Sequence, residues 1–456
     1  MAHLRKITIA GLFGLYDHDL DLRQDPPLTI VAGPNGVGKT TLLRLTTALL
    51  RGAYRELLRY EFGTLSVENE LGATIEVERT AERDLPSEAA LFTLRFRHGV
   101  GPPQEATIEV QPPVADLIAM PDFLEHYDSE TFVDVRDGEL ISEDDVLLRW
   151  GGRVREPIRP PTPPDWFHAD EWRVDFIETK RLDTLLSSSL VARRPGPRLG
   201  PGVAHVERRG SPINRYLQVV ANSLENARLE SARINQARTS TVARRLLGEY
   251  SSKTVNVGRL RERYAQVERH AAALTANGLL SDSLAALPGG KLNPTQKRFF
   301  EMFLDDFEAK LEPLDPVSEK LEQLRSIIGH KFLNKELAIS PEHGLTFAVE
   351  PAGNEIVADS LSSGEQHELA LISRLLFDER AGTTVLIDEP ELSLHVSWQH
   401  EMVEDLLEIA RVSDVSFVLA THSTAIINNR WDIVNELGPL DFSPDERGQH
   451  KTSVAT

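Results

Sequence analysis

Four short stretches of this chain have residue types and spacing suited to handling a phosphate. Gly33-Pro34-Asn35-Gly36-Val37-Gly38-Lys39-Thr40-Thr41 fits the pattern G-x-x-x-x-G-K-T. Glycines in such a loop let backbone N–H groups curl around phosphate oxygens, and a helix starting there adds positive potential. Lys39 would reach the β- and γ-phosphates and the Thr40 hydroxyl would take a Mg2+ position. Asn35, Gly36, Val37, Gly38 and Thr41 would complete the nucleotide-binding loop. The plainer reading is a glycine turn before an ordinary helix, and the elements on either side argue against it.

The other three stretches lie some three hundred residues further on. Val385-Leu386-Ile387 runs into Asp388-Glu389-Pro390, which puts a Mg2+-coordinating acid and a neighbouring base at the end of a buried strand. Val415 to Ala420 runs in the same way into Thr421-His422-Ser423. A core histidine is the usual reading of a residue like His422, and its place at a strand end reverses it. Leu361-Ser362-Ser363-Gly364-Glu365 opens a helix with two hydroxyls and a glycine, so donors would face an anion. Ser362 followed by Glu365 is equally a capping box, and both readings can hold together.

These residues need elements to hold them. Leu28 to Ala32 reads as a strand leading into the glycine loop, and Thr40 to Leu50 as an apolar-striped helix. Residues 4–31, 62–110 and 173–177 read as strands, with a hairpin turn at Glu70-Leu71-Gly72. Residues 111–150 give no clear pattern, and Pro157 to Pro164 is a proline-rich loop. Leu186 to Gly202 reads as a mobile connector. Ile213 to Leu247, Val257 to Leu274 and Thr295 to Phe332 have helical spacing, with a Phe299, Phe300, Phe303, Phe307, Leu311 stripe and a break at Pro313 and Pro316.

The expected layout is an α/β head with an antiparallel β subdomain and a helical, coiled-coil-like arm inserted into it. Its parts are residues 1–183, an arm and connector at 184–335, the rest of the head at 336–436, and a polar tail at 437–456. The length of 456 residues suits about three domains. With no cysteine, disulfides and thiolate metal sites are excluded, which fits a reducing cytoplasm. No apolar run approaches the ~20 residues of a membrane helix, so no membrane partner is expected.

Leu-Ser-Ser-Gly-Glu, then Leu-Ile-Asp-Glu-Pro-Glu-Leu-Ser-Leu-His, then Ala-Thr-His-Ser resembles the ABC-type ATPase head, in its RecF, SMC and OLD branch. Transporter subunits usually continue Asp-Glu-Pro with Thr-Ser-Ala-Leu-Asp, whereas Glu391 to His395 follows here. The likeness extends to stand-alone bacterial ATPases of phage-defence systems such as Septu and PARIS. It implies ATP and Mg2+, with Thr40 and Asp388 on the metal and Glu389 and His422 catalytic. It also implies self-association of heads, dimeric or higher. Ser362, Ser363, Gly364 and Glu365 would then cap the partner's nucleotide, and Ser393 to His395 would cross the interface. Head association would control a separate effector, such as a nuclease or toxin, in antiviral defence. The glutamine such heads carry is expected near residues 176–181, where Lys180 stands.

Two alternatives are a non-hydrolysing, ATP-locked scaffold that sequesters a toxin or nuclease, and a metal-dependent nuclease using Asp165, Glu178 and Lys180. The net charge of −20 argues against the whole protein coating nucleic acid. Residues 191–280 nevertheless hold sixteen Lys or Arg against six Asp or Glu. That arm would grip DNA or RNA, dock an acidic protein, or simply be a solvated face.

Overall fold

The computed structural model describes residues 3–80, 90–99, 101–110, 124–126, 131–134, 140–142, 146, 149, 163–178, 212–247, 256–280, 284, 292–340, 344–351 and 353–438. The expected connector at 186–202, Lys180, Arg181 and most of the expected tail lie outside them. No helix among the described residues is long and apolar enough to cross a membrane. The chain forms two compact units, residues 1–205 with 380–456, and residues 206–379.

In chain order the first unit begins with β1 (Leu4–Leu12), β2 (Tyr16–Asp21), β3 (Leu28–Ala32), α1 (Lys39–Arg51) and α2 (Tyr54–Leu57). It continues with β4 (Thr64–Asn69), β5 (Ala73–Thr80), β6 (Ala90–His98) and β7 (Gln104–Val110). Then come β8 (Leu124–His126), β9 (Thr131–Asp134), β10 (Leu140–Ser142) and β11 (Val174–Glu178). The second unit holds α3 (Pro212–Leu247), α4 (Val257–Ala276), α5 (Pro294–Leu311) and α6 (Asp315–Lys331). It also holds β12 (Lys335–Ser340), β13 (Gly344–Val349), β14 (Asn354–Val357) and α7 (Ser363–Phe377). The chain returns to the first unit with β15 (Thr383–Asp388), α8 (Val396–Ser413), β16 (Val415–Ala420), α9 (Thr424–Ile427) and β17 (Val434–Glu436).

The first unit is built on a parallel sheet of order β11-β15-β16-β3-β17. β3, β15 and β16 are buried along their whole length, which is why they read as mostly apolar runs. A six-stranded antiparallel sheet, β2-β1-β4-β5-β6-β7, forms the subdomain. Here β4 and β5 alternate between buried and half-buried residues, as a one-sided sheet requires. The core joins this sheet to α1 through Ile7, Leu42, Leu49, Val67 and Phe92, and reaches Leu386 and Val418 of the parallel sheet. A small sheet, β10-β9-β8, occupies part of the stretch whose sequence gave no pattern.

In the second unit α3 runs for 36 residues. Ser231 Oγ donates to the Lys310 carbonyl at 2.7 Å and Arg245 bonds Asp306 at 2.6 Å, so α3 and α5 are antiparallel. The break at the prolines falls as expected: α5 ends at Leu311, a single 3-10 turn containing Pro313 follows, and Pro316 lies in the first turn of α6. The phenylalanine stripe is only partly core. Leu304 and Leu311 are buried, Phe300 stacks on Tyr264, and Phe299 is 51% exposed.

The arm's basic surplus is smaller than residues 191–280 alone suggest. Asp305, Asp306 and Glu308 of α5 lie beyond that window and face it. Arg263 bonds Asp305 at 2.6 Å and also Glu308, and Arg238 joins Arg245 on Asp306. Arg244 and Arg259 are exposed.

Candidate functional site

The parallel sheet brings its polar groups to one edge. β3 and β15 both flank β16, so the glycine loop after Ala32 and the acid pair after Ile387 leave the same end of the sheet. Thr40 is the second residue of α1, and its hydroxyl lies 2.9 Å from both Asp388 carboxylate oxygens, 348 positions away. Lys39 is buried and folds back over the loop, donating to the Gly33 carbonyl at 2.8 Å and the Pro34 carbonyl at 3.2 Å. Gly38 caps α1 in the left-handed region at φ 97°, and a Cβ there would sit 2.4 Å from Leu12 Cδ2. Only glycine meets both conditions.

Burial raises the Asp388 carboxyl to about 6, helped by the charges of Glu389 and Glu178 and opposed by the Thr40 hydroxyl and Arg44. A buried carboxylate beside a hydroxyl is a donor set of hard oxygens that a small dication would relieve. Thr40 and Asp388 therefore fit Mg2+. The loop, with its lysine and the N-terminus of α1, fits a polyphosphate.

Glu389 follows Asp388 in the left-handed region, at φ 45° and ψ 55°. Its amide donates to the Ala420 carbonyl at 2.8 Å, tying the ends of β15 and β16 together. Left-handed backbone at a glutamate is strained, and such strain gathers where a side chain must be aimed. His422 Nδ1 lies 3.9 Å from Glu389 Oε1 and 3.2 Å from Glu391 Oε1. Asp388, Glu389, His422 and the glycine loop are thus gathered at one edge. Leu361 to Glu365 belong to the second unit.

There Ser362 caps α7, and the capping box is complete. Glu365 N–H donates to Ser362 Oγ at 3.3 Å, and the Ser362 amide donates to Glu365 Oε2 at 2.9 Å. Lys335 of β12 holds Glu365 at 2.5 Å, and one turn on a fully buried Lys331–Glu368 pair fastens α7 to α6. Ser362 and Ser363 remain exposed and Gly364 half-buried. Ser393 lies in a 3-10 turn at Pro390–Ser393, and His395 caps α8 by accepting from the Ser397 amide.

Three residues of this edge were not singled out as its parts by the sequence. His18 of β2 is buried with Nε2 2.9 Å from the Val37 carbonyl oxygen. Arg44 of α1 forms an ion pair with Glu178, which is in register with Asp388 on the neighbouring strand. Glu391 accepts from the Thr421 hydroxyl at 2.7 Å and the His422 amide at 3.2 Å. Asp165 is exposed, and no group of three or more His, Asp or Glu among the described residues could hold a metal. Glu178 faces an arginine, an arrangement that does not favour the nuclease alternative.

A strand, a glycine loop with its lysine and threonine, and an acid pair and histidine on neighbouring parallel strands define a P-loop ATPase head of the ABC type. The chain belongs to the family described as "AAA domain, putative AbiEii toxin, Type IV TA system", whose profile matches residues 141–428. A second profile, described as an AAA domain, matches residues 6–109. No curated protein matches significantly. Among solved structures, the chain is similar to the Smc head domain of Pyrococcus furiosus bound to the C-terminal domain of ScpA. Identity is 13%, the TM-score is 0.36, and all of both chains is covered. It is also similar to the SMC head domain of Thermotoga maritima at 10% identity and TM-score 0.34, covering 95% of this chain and 94% of that one.

Proposed function

We propose that this chain binds Mg-ATP in the Gly33–Thr41 loop and hydrolyses it to ADP and phosphate. The observation that carries the reading is the Thr40–Asp388 contact, which joins loop and acid across the sheet. Lys39 would leave the loop carbonyls for the β- and γ-phosphates, while loop amides and the N-terminus of α1 hold the remaining oxygens. Thr40 and Asp388 would hold Mg2+, which supplies charge neutralisation on the phosphates. Glu389 would take a proton from the attacking water as the bond between the γ-phosphorus and the bridging oxygen breaks. His422, beside it, would donate to the γ-phosphate.

In this reading Ser362, Ser363, Gly364 and Glu365 cap the nucleotide of a second copy of the chain. The exposure of Ser362 and Ser363 and the rigid capping box between Ser362 and Glu365 support that role. ATP-driven association would then control a separate effector in antiviral defence, and the family description, which names a putative toxin of a type IV TA system, is compatible with such an effector. The experiment is phosphate release from ATP by purified protein. Turnover lost in both Lys39→Ala and Glu389→Gln supports the reading, and turnover retained in either variant sinks it.

A further inference from the structure

We infer that Glu391 is a positioning residue of the hydrolytic site, setting where the His422 ring stands relative to Glu389. The inference rests on the ATPase reading above. Glu391 is 8% exposed and lies in the 3-10 turn that follows the acid pair. Its Oε1 collects three groups from the end of β16: the Thr421 hydroxyl at 2.7 Å, the His422 amide at 3.2 Å and His422 Nδ1 at 3.2 Å. One carboxylate oxygen thus binds the amide of the histidine and also stands within reach of its ring nitrogen. The ring is 47% exposed, so apolar packing alone does not hold it.

A second link keeps Glu391 itself in place. Gln399 of α8 donates to the Glu391 carbonyl at 3.2 Å and to the Leu394 carbonyl at 3.2 Å, and accepts from the Ser423 hydroxyl at 3.0 Å. The turn after β15 and the loop after β16 are therefore joined twice, once by the Glu391 carboxylate and once by Gln399. Rigid support of this kind is what keeps a reacting side chain within a few tenths of an ångström of its working position. The effect of Glu391 passes through His422.

The test uses the full chain and three substitutions, Glu391→Leu, Glu391→Gln and Thr421→Val. Leu fills the volume and removes all three contacts, whereas Gln keeps an acceptor oxygen. Glu391→Leu should lower kcat for ATP by about tenfold. KM and the Kd for a fluorescent ATP analogue should stay within about twofold. Glu391→Gln should restore most of the lost kcat, and Thr421→Val should lower kcat by about threefold without moving KM. Equal loss of binding, turnover and thermal stability in Glu391→Leu would make the residue merely structural and overturn the inference. So would a Glu391→Leu variant as active as wild type, and that result leaves the ATPase reading standing. Should Glu391→Leu not fold, an unchanged kcat in Thr421→Val overturns the inference in its place. A wild-type protein with no ATP turnover, or with turnover that survives Lys39→Ala, overturns both.

Discussion

His18 holds the carbonyl of Val37: its Nε2 stands 2.9 Å from that oxygen, inside the core, at the middle of the glycine loop. A neighbouring strand therefore helps set the curve of the loop before any nucleotide arrives. Replacing His18 by Leu leaves a buried carbonyl without its donor, a cost of about 1–3 kcal/mol. ATP affinity should fall several-fold, while His18→Gln, which keeps a donor at similar reach, should lose less. Equilibrium titration with a fluorescent nucleotide measures both. Equal affinity in wild type and His18→Leu would show that the loop keeps its curve unaided.

Gly38 and Gly36 both have left-handed backbone, at φ 97° and 87°, but their surroundings differ. A Cβ at Gly38 meets Leu12 at 2.4 Å, whereas one at Gly36 meets nothing within 4 Å. Both Ala variants incur left-handed strain of about 1–2 kcal/mol. Gly38→Ala carries the clash as well, so it should melt several degrees below Gly36→Ala. Calorimetry without nucleotide decides the order.

Replacing Glu389 by Gln removes the proposed base and keeps Asp388 and Thr40. ATP binding should persist while turnover drops at least about 100-fold. ATP should then drive a dimer or larger assembly that size-exclusion chromatography detects. Wild-type turnover in this variant would refute the assignment of Glu389.

The Glu365 carboxyl is held below its ordinary range. Burial pushes it up, but hydrogen bonds from Lys335 and Ser362, together with the Lys335 charge, outweigh that push. The folded state therefore prefers the carboxylate, and this stabilisation is present above the ordinary value of 4.5 and lost as pH falls through the lower folded value. Glu365→Gln should lower the melting temperature at neutral pH by a few degrees, about 1 kcal/mol. The gap to wild type should close as the solution is acidified. A gap independent of pH would mean that the carboxylate's charge plays no part.

On the arm, Arg245 and Arg263 face the acids of α5, so reversing their charge should destabilise the second unit. Arg244 and Arg259 are exposed, and reversing them should leave melting unchanged. If the arm grips nucleic acid, the Arg244→Glu, Arg259→Glu double variant should bind more weakly and with a shallower salt dependence. Binding unchanged in that variant would leave the arm a solvated surface.

Much of the candidate site was legible because fully buried parallel strands leave mostly apolar runs, and the polar residues after them stand out. Val385 to Ile387 before Asp388 and Val415 to Ala420 before Thr421 are of this kind. Glu391 was not legible as a support, since its partners lie thirty positions away and no local pattern marks a buried carboxylate. Arg44 and Glu178 meet across 134 positions. β8 to β10 escaped notice because strands of three or four residues are too short to show alternation. A window along the chain likewise cannot see that Asp305 and Asp306, outside residues 191–280, meet its arginines across the helix pair.

The strand that leads into the glycine loop lies between two strands from the far end of the chain, β16 on one side and β17 on the other. Leu437 then donates its amide to the Ala32 carbonyl, one residue before Gly33. During synthesis, β3 therefore emerges from the ribosome with both edges unpaired and stays so while nearly four hundred further residues are made. An apolar strand with open edges invites pairing with other chains. Nascent chains stalled before Val415 should thus depend on chaperones and fail to retain nucleotide, however complete their loop sequence.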